Sequence, residues 1–289
     1  DVTALSGARA DSSYSFELIL EHLGIEKDRS TVEVGIEKIH DLRLTHEASF
    51  EAIPGETLTM SVTAENRGNL LEIGSFNLTT PSGWIQSSDG FNILPGETIS
   101  GLTVTLTVPA LDSEEVPMAG QVYVIPILAV NTTDNLTIGS SNVSVTIKPV
   151  FQLVMTSSPS RIASIPGQSK DASYLMKNAG NDAVILDVTC ELDPSSVGRW
   201  SAPVCPSTLE LSQGQERWIN LSLTPIDDRH WDKESGTLLF EFIPRGEVGG
   251  NASWSTPIII ERVETDDPVV LRASDGPQYT LNVDWMHVP

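Results

Sequence analysis

A set of turn and strand signatures occurs twice in this chain of 289 residues, at a nearly constant separation. Four positions of the first copy recur 112 residues later: Pro54, Asn66, Gly68 and Asn69 become Pro166, Asn178, Gly180 and Asn181. A repeat of this length corresponds to a whole domain rather than to one unit of a solenoid. The chain is therefore predicted to contain two copies of one domain, each long enough to bury its own core.

Each copy consists of short runs in which apolar residues alternate with polar ones. In the first copy, two such runs lie at 57–65 and 102–108, and Thr and Ser fill the phase opposite the apolar residues. Turn signals follow about every ten residues, and no segment keeps a helical period over more than two turns. Strands with one apolar face are typical of sheets that pack face to face. The predicted fold class is all-β, with tandem antiparallel β-sandwiches.

The repeat also sets the predicted domain boundaries. Residues 41–150 and 151–263 are predicted to be the two complete sandwiches. Residues 1–40 contain an alternating hairpin like those that close both copies, so they are interpreted as the C-terminal hairpin of a preceding repeat. Residues 264–289 resemble the opening of a further copy. They are interpreted as the first strands of a following repeat or, alternatively, as strands donated to another chain.

The turns are predicted from their Gly, Pro and Asn residues. Pro54-Gly55 and Pro95-Gly96 predict type II turns, in which Gly takes a positive φ. A positive φ is also predicted for the Asn-rich turns at 66–69 and 178–181. A β-bulge is predicted at Gly74, because it would allow apolar residues on both sides of Gly74 to face the core.

Aromatic and sulfur-containing residues predict further core contacts. Trp84 and Trp200 are expected to close one end of each sandwich, and carbohydrate stacking is the alternative. Cys190 continues the inward phase of its strand, and Cys205 follows 15 residues later. A disulfide between them would contribute about 3 kcal/mol. The alternatives are two unrelated buried thiols, or one half of a zinc site.

The charge balance narrows the classes of partner. Lys and Arg number 17 and Asp and Glu 39, so the formal net charge is −22. Affinity for nucleic acid or for an anionic membrane depends on cationic side chains, which are scarce here. No run of 18 apolar residues that could span a bilayer occurs. Nucleic acid is therefore excluded as a partner, and this part of the chain is predicted to contain no transmembrane segment.

Candidate catalytic and metal-binding residues are few. The histidines show no metal-ligand spacing: they are His22, His40, His46, His230 and His287. Two acidic loops, one with Asp112, Glu114 and Glu115 and the other at 227–230, leave a weak possibility of calcium, although neither has the spacing of a calcium loop. No nucleophile elbow, phosphate loop or dinucleotide fingerprint is present. The chain is predicted to be no enzyme and to need no cofactor.

Six Asn-x-Ser/Thr sequons are candidate glycosylation sites: Asn77, Asn131, Asn135, Asn142, Asn220 and Asn251. Three of them occupy the outward phase of predicted strands, and the other three fall in predicted turns. A chain rich in Ser and Thr also forms such triplets by chance, so that alternative stays open.

The order of these motifs resembles the immunoglobulin-like domains called NEW3 and CARDB. The resemblance rests on Pro-Gly-Glu before a strand, Asn-x-Gly-Asn after it, Pro-x-Gly-Trp, and Leu-x-Pro-Gly-Glu before a strand that ends in Pro. The second copy departs from this order at Arg199-Trp200 and at Gln213-Gly214-Gln215. The resemblance implies an immunoglobulin-like fold, a place in surface proteins of archaea and bacteria, and no shared catalytic residues.

Two functions follow as hypotheses. The first is a structural module of an extracellular surface protein (a surface layer, stalk or filament) that acts through spacing and self-association. Its partners would be other copies of the chain or neighbouring surface proteins. The alternative is an adhesin or a carbohydrate-binding accessory module, for which Trp218, Trp231 and Trp254 are the candidate stacking residues.

Overall fold

The structure is a computed structural model that describes residues 8–226, 233–246 and 250–260. The chain divides into two compact units, Asp1–Pro149 and Val150–Pro289. This division lies one residue before the boundary predicted from the repeat. The predictions for residues 261–289 and for the acidic loop at 227–230 lie outside the described residues.

The first unit contains a hairpin followed by a sandwich. Its strands are β1 (Ser13–His22), β2 (Ile25–Gly35), β3 (Leu42–Thr45), β4 (Ser49–Ala52), β5 (Thr57–Asn66), β6 (Glu72–Leu78), β7 (Ile85–Ser88), β8 (Gly90–Ile93), β9 (Thr98–Thr107), β10 (Val122–Asn131) and β11 (Thr137–Ile147). Strands β1 and β2 form a sheet of their own. The other strands form one sheet in the order β3-β5-β9-β7 and another in the order β4-β11-β10-β6-β8.

The second unit shows the same sandwich plan, with eight strands in its described residues. Its strands are β12 (Leu153–Ser157), β13 (Ile162–Ser164), β14 (Lys170–Asn178), β15 (Val184–Leu192), β16 (Thr208–Leu211), β17 (Glu216–Leu223), β18 (Lys233–Pro244) and β19 (Ala252–Ile260). They form sheets in the orders β12-β14-β17 and β13-β19-β18-β15-β16.

Both units are immunoglobulin-like β-sandwiches. In the first unit, β3, β5, β9 and β7 take the positions of strands A, B, E and D, and β11, β10 and β6 those of G, F and C. Among the described strands, all pairs are antiparallel except β4 with β11 and β13 with β19. Between the two sheets of each unit lies one apolar core, built from the inward phase of both sheets. The predicted fold class is confirmed.

The Pro-Gly turns form as predicted, with a positive φ at Gly55, Gly96 and Gly167. The predicted positive φ in the Asn-rich turns is wrong, because no residue of 66–69 or 178–181 has one. These turns serve other purposes. A Cβ at Gly68 would lie 2.2 Å from the carbonyl oxygen of Ile39, so the turn needs Gly for close approach to another part of the chain.

Buried asparagine side chains hold these turns together. Asn66 is fully buried, and its Nδ2 donates to the carbonyl oxygens of Leu70 and Ile93 while its Oδ1 accepts from the backbone N–H of Gly68. Asn178 makes the matching bonds in the second unit, to the carbonyl oxygens of Asp182 and Leu211 and from the N–H of Gly180. A buried amide is stable only when its polar atoms are paired.

The β-bulge predicted at Gly74 is also wrong. The register of β6 with β10 and with β8 runs without a shift. Ile73 is exposed, and Glu72 and Gly74 take the inward positions. Gly74 is required for packing, because a Cβ there would lie 2.2 Å from the Val130 carbonyl oxygen and 2.7 Å from the Phe91 ring.

Candidate functional site

The β1–β2 hairpin presents an uncovered apolar face. Tyr14 lies opposite Val34 and Phe16 opposite Val32, so these four side chains share one face of the hairpin. Leu18 and Leu20 continue that face, and all residues of β1 are exposed. We call the six residues Tyr14, Phe16, Leu18, Leu20, Val32 and Val34 the hairpin face. Both strands also lie at the edge of their sheet, so each has backbone groups free for pairing.

The hairpin reproduces the register of β10 and β11. The paired strands have the same lengths, 10 and 11 residues in both places. Tyr123 lies opposite Val145 as Tyr14 lies opposite Val34, and Ile125 lies opposite Val143 as Phe16 lies opposite Val32. In the sandwich, Ile125, Val143 and Val145 are fully buried under the second sheet. The hairpin face therefore corresponds to the face of β10 and β11 that packs in the core of the sandwich.

A polar cluster missed by the sequence reasoning lies where the hairpin joins the first sandwich. Glu72 is fully buried on β6, and its Oε2 accepts from Nδ2 of Asn131 at 2.8 Å. His40, in the linker between β2 and β3, places its Nδ1 2.8 Å from Oε1 of Glu72. The other ring nitrogen of His40 lies 3.9 Å from Asp134. The cluster includes no nucleophile and anchors the linker to the sandwich.

Five of the six sequon asparagines are exposed: Asn77, Asn135, Asn142, Asn220 and Asn251. Asn131 is predicted to lie in a turn, but it is the last residue of β10 and is buried. Its amide nitrogen is bonded to Glu72, and its Oδ1 accepts from the N–H of Thr133. A glycan on Asn131 would replace a buried hydrogen bond, so the structure contradicts this candidate.

The disulfide between Cys190 and Cys205 is present, with the two Cα atoms 6.4 Å apart. Cys190 lies on β15 of the five-stranded sheet. Cys205 follows Val204, which pairs with Ser222 of the other sheet. Three residues after Cys205, β16 begins and pairs with β15. The disulfide therefore fixes the segment that passes from one sheet to the other at the open edge of the second sandwich.

The tryptophans in the described residues do not form a binding row. Trp84 and Trp200 are buried, and Trp84 packs edge to face against Tyr123 with ring centroids 5.0 Å apart. Trp218 is 54% exposed on β17. Trp254 lies in the other sheet, partly buried against the core and 5.4 Å from the ring of Phe242. Trp231 lies outside the described residues, so the structure gives one exposed candidate, Trp218.

A shallow open groove of about 460 Å³ lies beside Trp254 on the five-stranded sheet of the second unit. Its lining combines two carboxylates, three hydroxyl groups and three apolar side chains: Thr189, Glu191, Leu239, Phe240, Glu241, Ser253, Trp254 and Ser255. Glu241 accepts a hydrogen bond from the amide of Asn251 at 3.1 Å. The groove lacks the depth and the convergent polar groups typical of a small-molecule site.

Within the described ranges, no three His, Cys, Asp or Glu residues are placed to hold a metal ion. Asp112, Glu114 and Glu115 therefore do not converge on one site. The same part of the chain also contains no helix long and apolar enough to cross a membrane.

Comparison with known proteins finds structural likenesses but no family. No protein-family model and no curated protein matches the chain. Escherichia coli alpha-2-macroglobulin is 12% identical over 87% of this chain, which spans only 19% of that protein, with a TM-score of 0.26. Mouse clustered PcdhgC3 EC1-3 is 13% identical, with coverages of 89% and 79% and a TM-score of 0.38. The DIP-gamma IG1+IG2 fragment is 11% identical, with coverages of 78% and 98% and a TM-score of 0.33.

All three TM-scores lie below 0.5, so these likenesses assign neither a family nor a function. The chain is defined as a tandem immunoglobulin-like protein by its own strand order and by its two separate cores. The resemblance to NEW3 and CARDB stays a prediction, based on the turn motifs.

Proposed function

We propose that this chain is a non-catalytic structural module of an extracellular surface protein, of the surface-layer, stalk or filament type, and that it self-associates through the hairpin face. The observation that carries the proposal is the exposure of a hairpin whose counterpart in the same chain, β10 with β11, buries its inward side chains in the core of the first sandwich. Burial of apolar area is the main favourable term in protein association. The missing cover would be a second β-layer from the rest of a preceding repeat, from another copy or from a neighbouring surface protein.

The remaining features support an extracellular structural role. A disulfide persists in oxidising compartments. The excess of acidic residues favours solubility and makes copies of the chain repel one another. Association must therefore come from apolar contact, and it should strengthen with added salt, which screens the repulsion.

The test is sedimentation velocity of the full chain over a range of concentrations. Leu18, 60% exposed on the hairpin face, and Ile19, 45% exposed on the opposite face, are matched positions. We expect the unsubstituted chain and Ile19→Lys to associate, and Leu18→Lys to remain monomeric. Both substitutions add the same charge. A difference in association between the two variants can therefore be attributed to the face of the hairpin on which the charge lies. A monomeric unsubstituted chain, or equal behaviour of both variants, would contradict the proposal.

A carbohydrate-binding module is the second candidate, and the exposure of Trp218 favours it. An exposed tryptophan offers a flat apolar surface for a sugar ring. Binding on a glycan array that is lost in Trp218→Ala, with the melting temperature of the second unit unchanged, would support this function. An array without hits would count against it.

A further inference from the structure

We infer that Asn77 and Asn142 carry N-linked glycans that together cover an apolar strip on the outward face of the first sandwich. The strip consists of the outward side chains of β10, and we call it the β10 strip: Val122, Val124, Pro126, Leu128 and Val130. The inference does not depend on the hairpin face or on self-association.

The β10 strip is exposed at its first residues, Val122 and Val124, and half-buried at Pro126, Leu128 and Val130. Val124 is 63% exposed, whereas its inward neighbours Ile125 and Ile127 are fully buried. Strand β10 is paired with β11 from Val122 to Val130, but with β6 only from Ile127 to Asn131. At Leu128 and Val130 the backbone groups on both sides are therefore used, and a partner strand cannot add there by edge pairing. Whatever covers this part of the strip must lie over its side chains.

The two sequons lie on either side of the strip. Asn77 on β6 is directly opposite Leu128, and Asn142 on β11 is directly opposite Pro126. Directly opposite residues share one face of a sheet, so both asparagines and the strip face the same way. From the spacing between strands and along a strand, their Cα atoms are about 12 Å apart. Both asparagines are exposed.

The neighbouring polar groups fit a sugar better than a protein. The outward residues beside the strip include Ser75 on β6 and Ser140 and Ser144 on β11. Apart from Ile73 on β6, which lies past Val130, the apolar surface is one strand wide, about 5 Å, and hydroxyl groups line its margins. A pyranose ring has an apolar C–H face and a rim of hydroxyl groups, and its dimensions match this strip. Protein interfaces instead need a wider apolar centre.

The modification is a transfer from a polyprenol-phosphate-linked oligosaccharide donor, catalysed by a membrane-bound transferase of the secretory route. The asparagine amide nitrogen attacks C1 of the first sugar, so that the N–C1 bond forms and the bond from C1 to the phosphate oxygen breaks. The polyprenol phosphate leaves, and one amide proton passes to a base of the transferase. No oxidation or reduction occurs.

The test begins with the chain secreted from a cell that N-glycosylates its proteins. Glycopeptide mass spectrometry is expected to find both Asn77 and Asn142 occupied and Asn131 bare. The double variant Asn77→Gln with Asn142→Gln should bind several-fold more of an apolar fluorescent dye. Asn220→Gln, which removes a sequon from β17 of the second unit, is the matched control and should bind as the unsubstituted glycoprotein does.

Two further measurements keep the inference falsifiable if the double variant is poorly secreted. Enzymatic removal of glycans from the folded glycoprotein should raise dye binding to the same extent, and Val124→Thr should reverse the increase. The inference is overturned if Asn77 and Asn142 are bare in the secreted chain. It is also overturned if deglycosylation leaves dye binding unchanged.

Discussion

Asn69 and Ile39 exchange two hydrogen bonds: the N–H of Ile39 donates to Oδ1 of Asn69 at 2.9 Å, and the N–H of Asn69 donates to the carbonyl of Ile39 at 3.1 Å. Asn181 holds Val150 by the same two bonds in the second unit. In each unit, the Asn-x-Gly-Asn turn therefore fixes the chain where it enters the sandwich.

Gly68→Ala should destabilise the first unit. The added Cβ would lie 2.2 Å from the carbonyl oxygen of Ile39, and that backbone group is held in place by Asn69. We expect a loss of about 2 kcal/mol in the free energy of unfolding, because backbone atoms must move. The measurement is hydrogen exchange of β5 peptides. Gly35→Ala is the control, since nothing lies within 4 Å of its added Cβ, and it should change the exchange little.

Glu72→Ala should cost about 2–4 kcal/mol in the unfolding free energy of the first unit. The substitution leaves a cavity and removes the acceptor for the buried amide of Asn131 and for the ring of His40. Denaturant unfolding followed by hydrogen exchange of β6 peptides, which report the first unit alone, measures the effect. Glu114→Ala, in an exposed loop, should change stability by less than about 0.5 kcal/mol. If Glu72→Ala changed stability as little as Glu114→Ala does, the buried cluster would contribute no stability.

The contrast between Glu72 and the apolar strand positions shows how far sequence reasoning reaches. Alternation placed the core strands correctly, because burial of apolar residues depends on local phase. Glu72 breaks that pattern: its partners are Asn131, 59 residues away, and His40, 32 residues away. A carboxylate can take an inward position only when such partners are present, and pairing between distant residues is not visible in a single sequence. The same reason explains the error at Asn131.

The turns show a related limit. The positive φ at Gly55 and Gly96 follows from local turn chemistry, so it was predictable. The function of Gly68 depends on a carbonyl 29 residues earlier in the chain, which only the folded structure brings near. The exposure of the hairpin face was likewise not predictable, because alternation indicates an inward face without showing whether anything covers it.

Replacing Cys190 and Cys205 by Ala should lower the unfolding free energy of the second unit by about 3 kcal/mol, as expected for a 15-residue loop. Calorimetry should show a lower melting temperature for this unit and no change for the first. Reducing agent should shift the unsubstituted chain to the same temperature and leave the double variant unaffected. A reductant effect on the double variant would indicate a cause other than this disulfide.

The second unit should lose stability in acid partly through Asp193. Partial burial acts to raise the pKa of this carboxyl group, but hydrogen bonds from Ser196 and Ser195 outweigh burial and hold the pKa below its ordinary value of 3.8. A depressed folded-state pKa stabilises the fold above the unfolded-state pKa, and the contribution is lost as the pH falls through the folded-state value.

Asp193→Asn should therefore lower the unfolding free energy of the chain. This loss should have its full size near about pH 6 and become smaller below about pH 4. Urea unfolding at several pH values measures it. Asp89→Asn removes a carboxylate from the first unit and is the control. It should leave the pH dependence of the second unit's unfolding free energy unchanged. A difference independent of pH would contradict the role given to ionised Asp193.

The parallel pairing of β4 with β11, and of β13 with β19, has a mechanical consequence. In each sandwich, one strand of the parallel pair lies near the point where the chain enters and the other near the point where it leaves. When the two ends of a unit are pulled apart, the paired strands slide along their length, and the hydrogen bonds between them bear the force together. Antiparallel pairs pulled from one end would open one bond at a time. Each sandwich therefore resists extension through its parallel strand pair, β4 with β11 or β13 with β19.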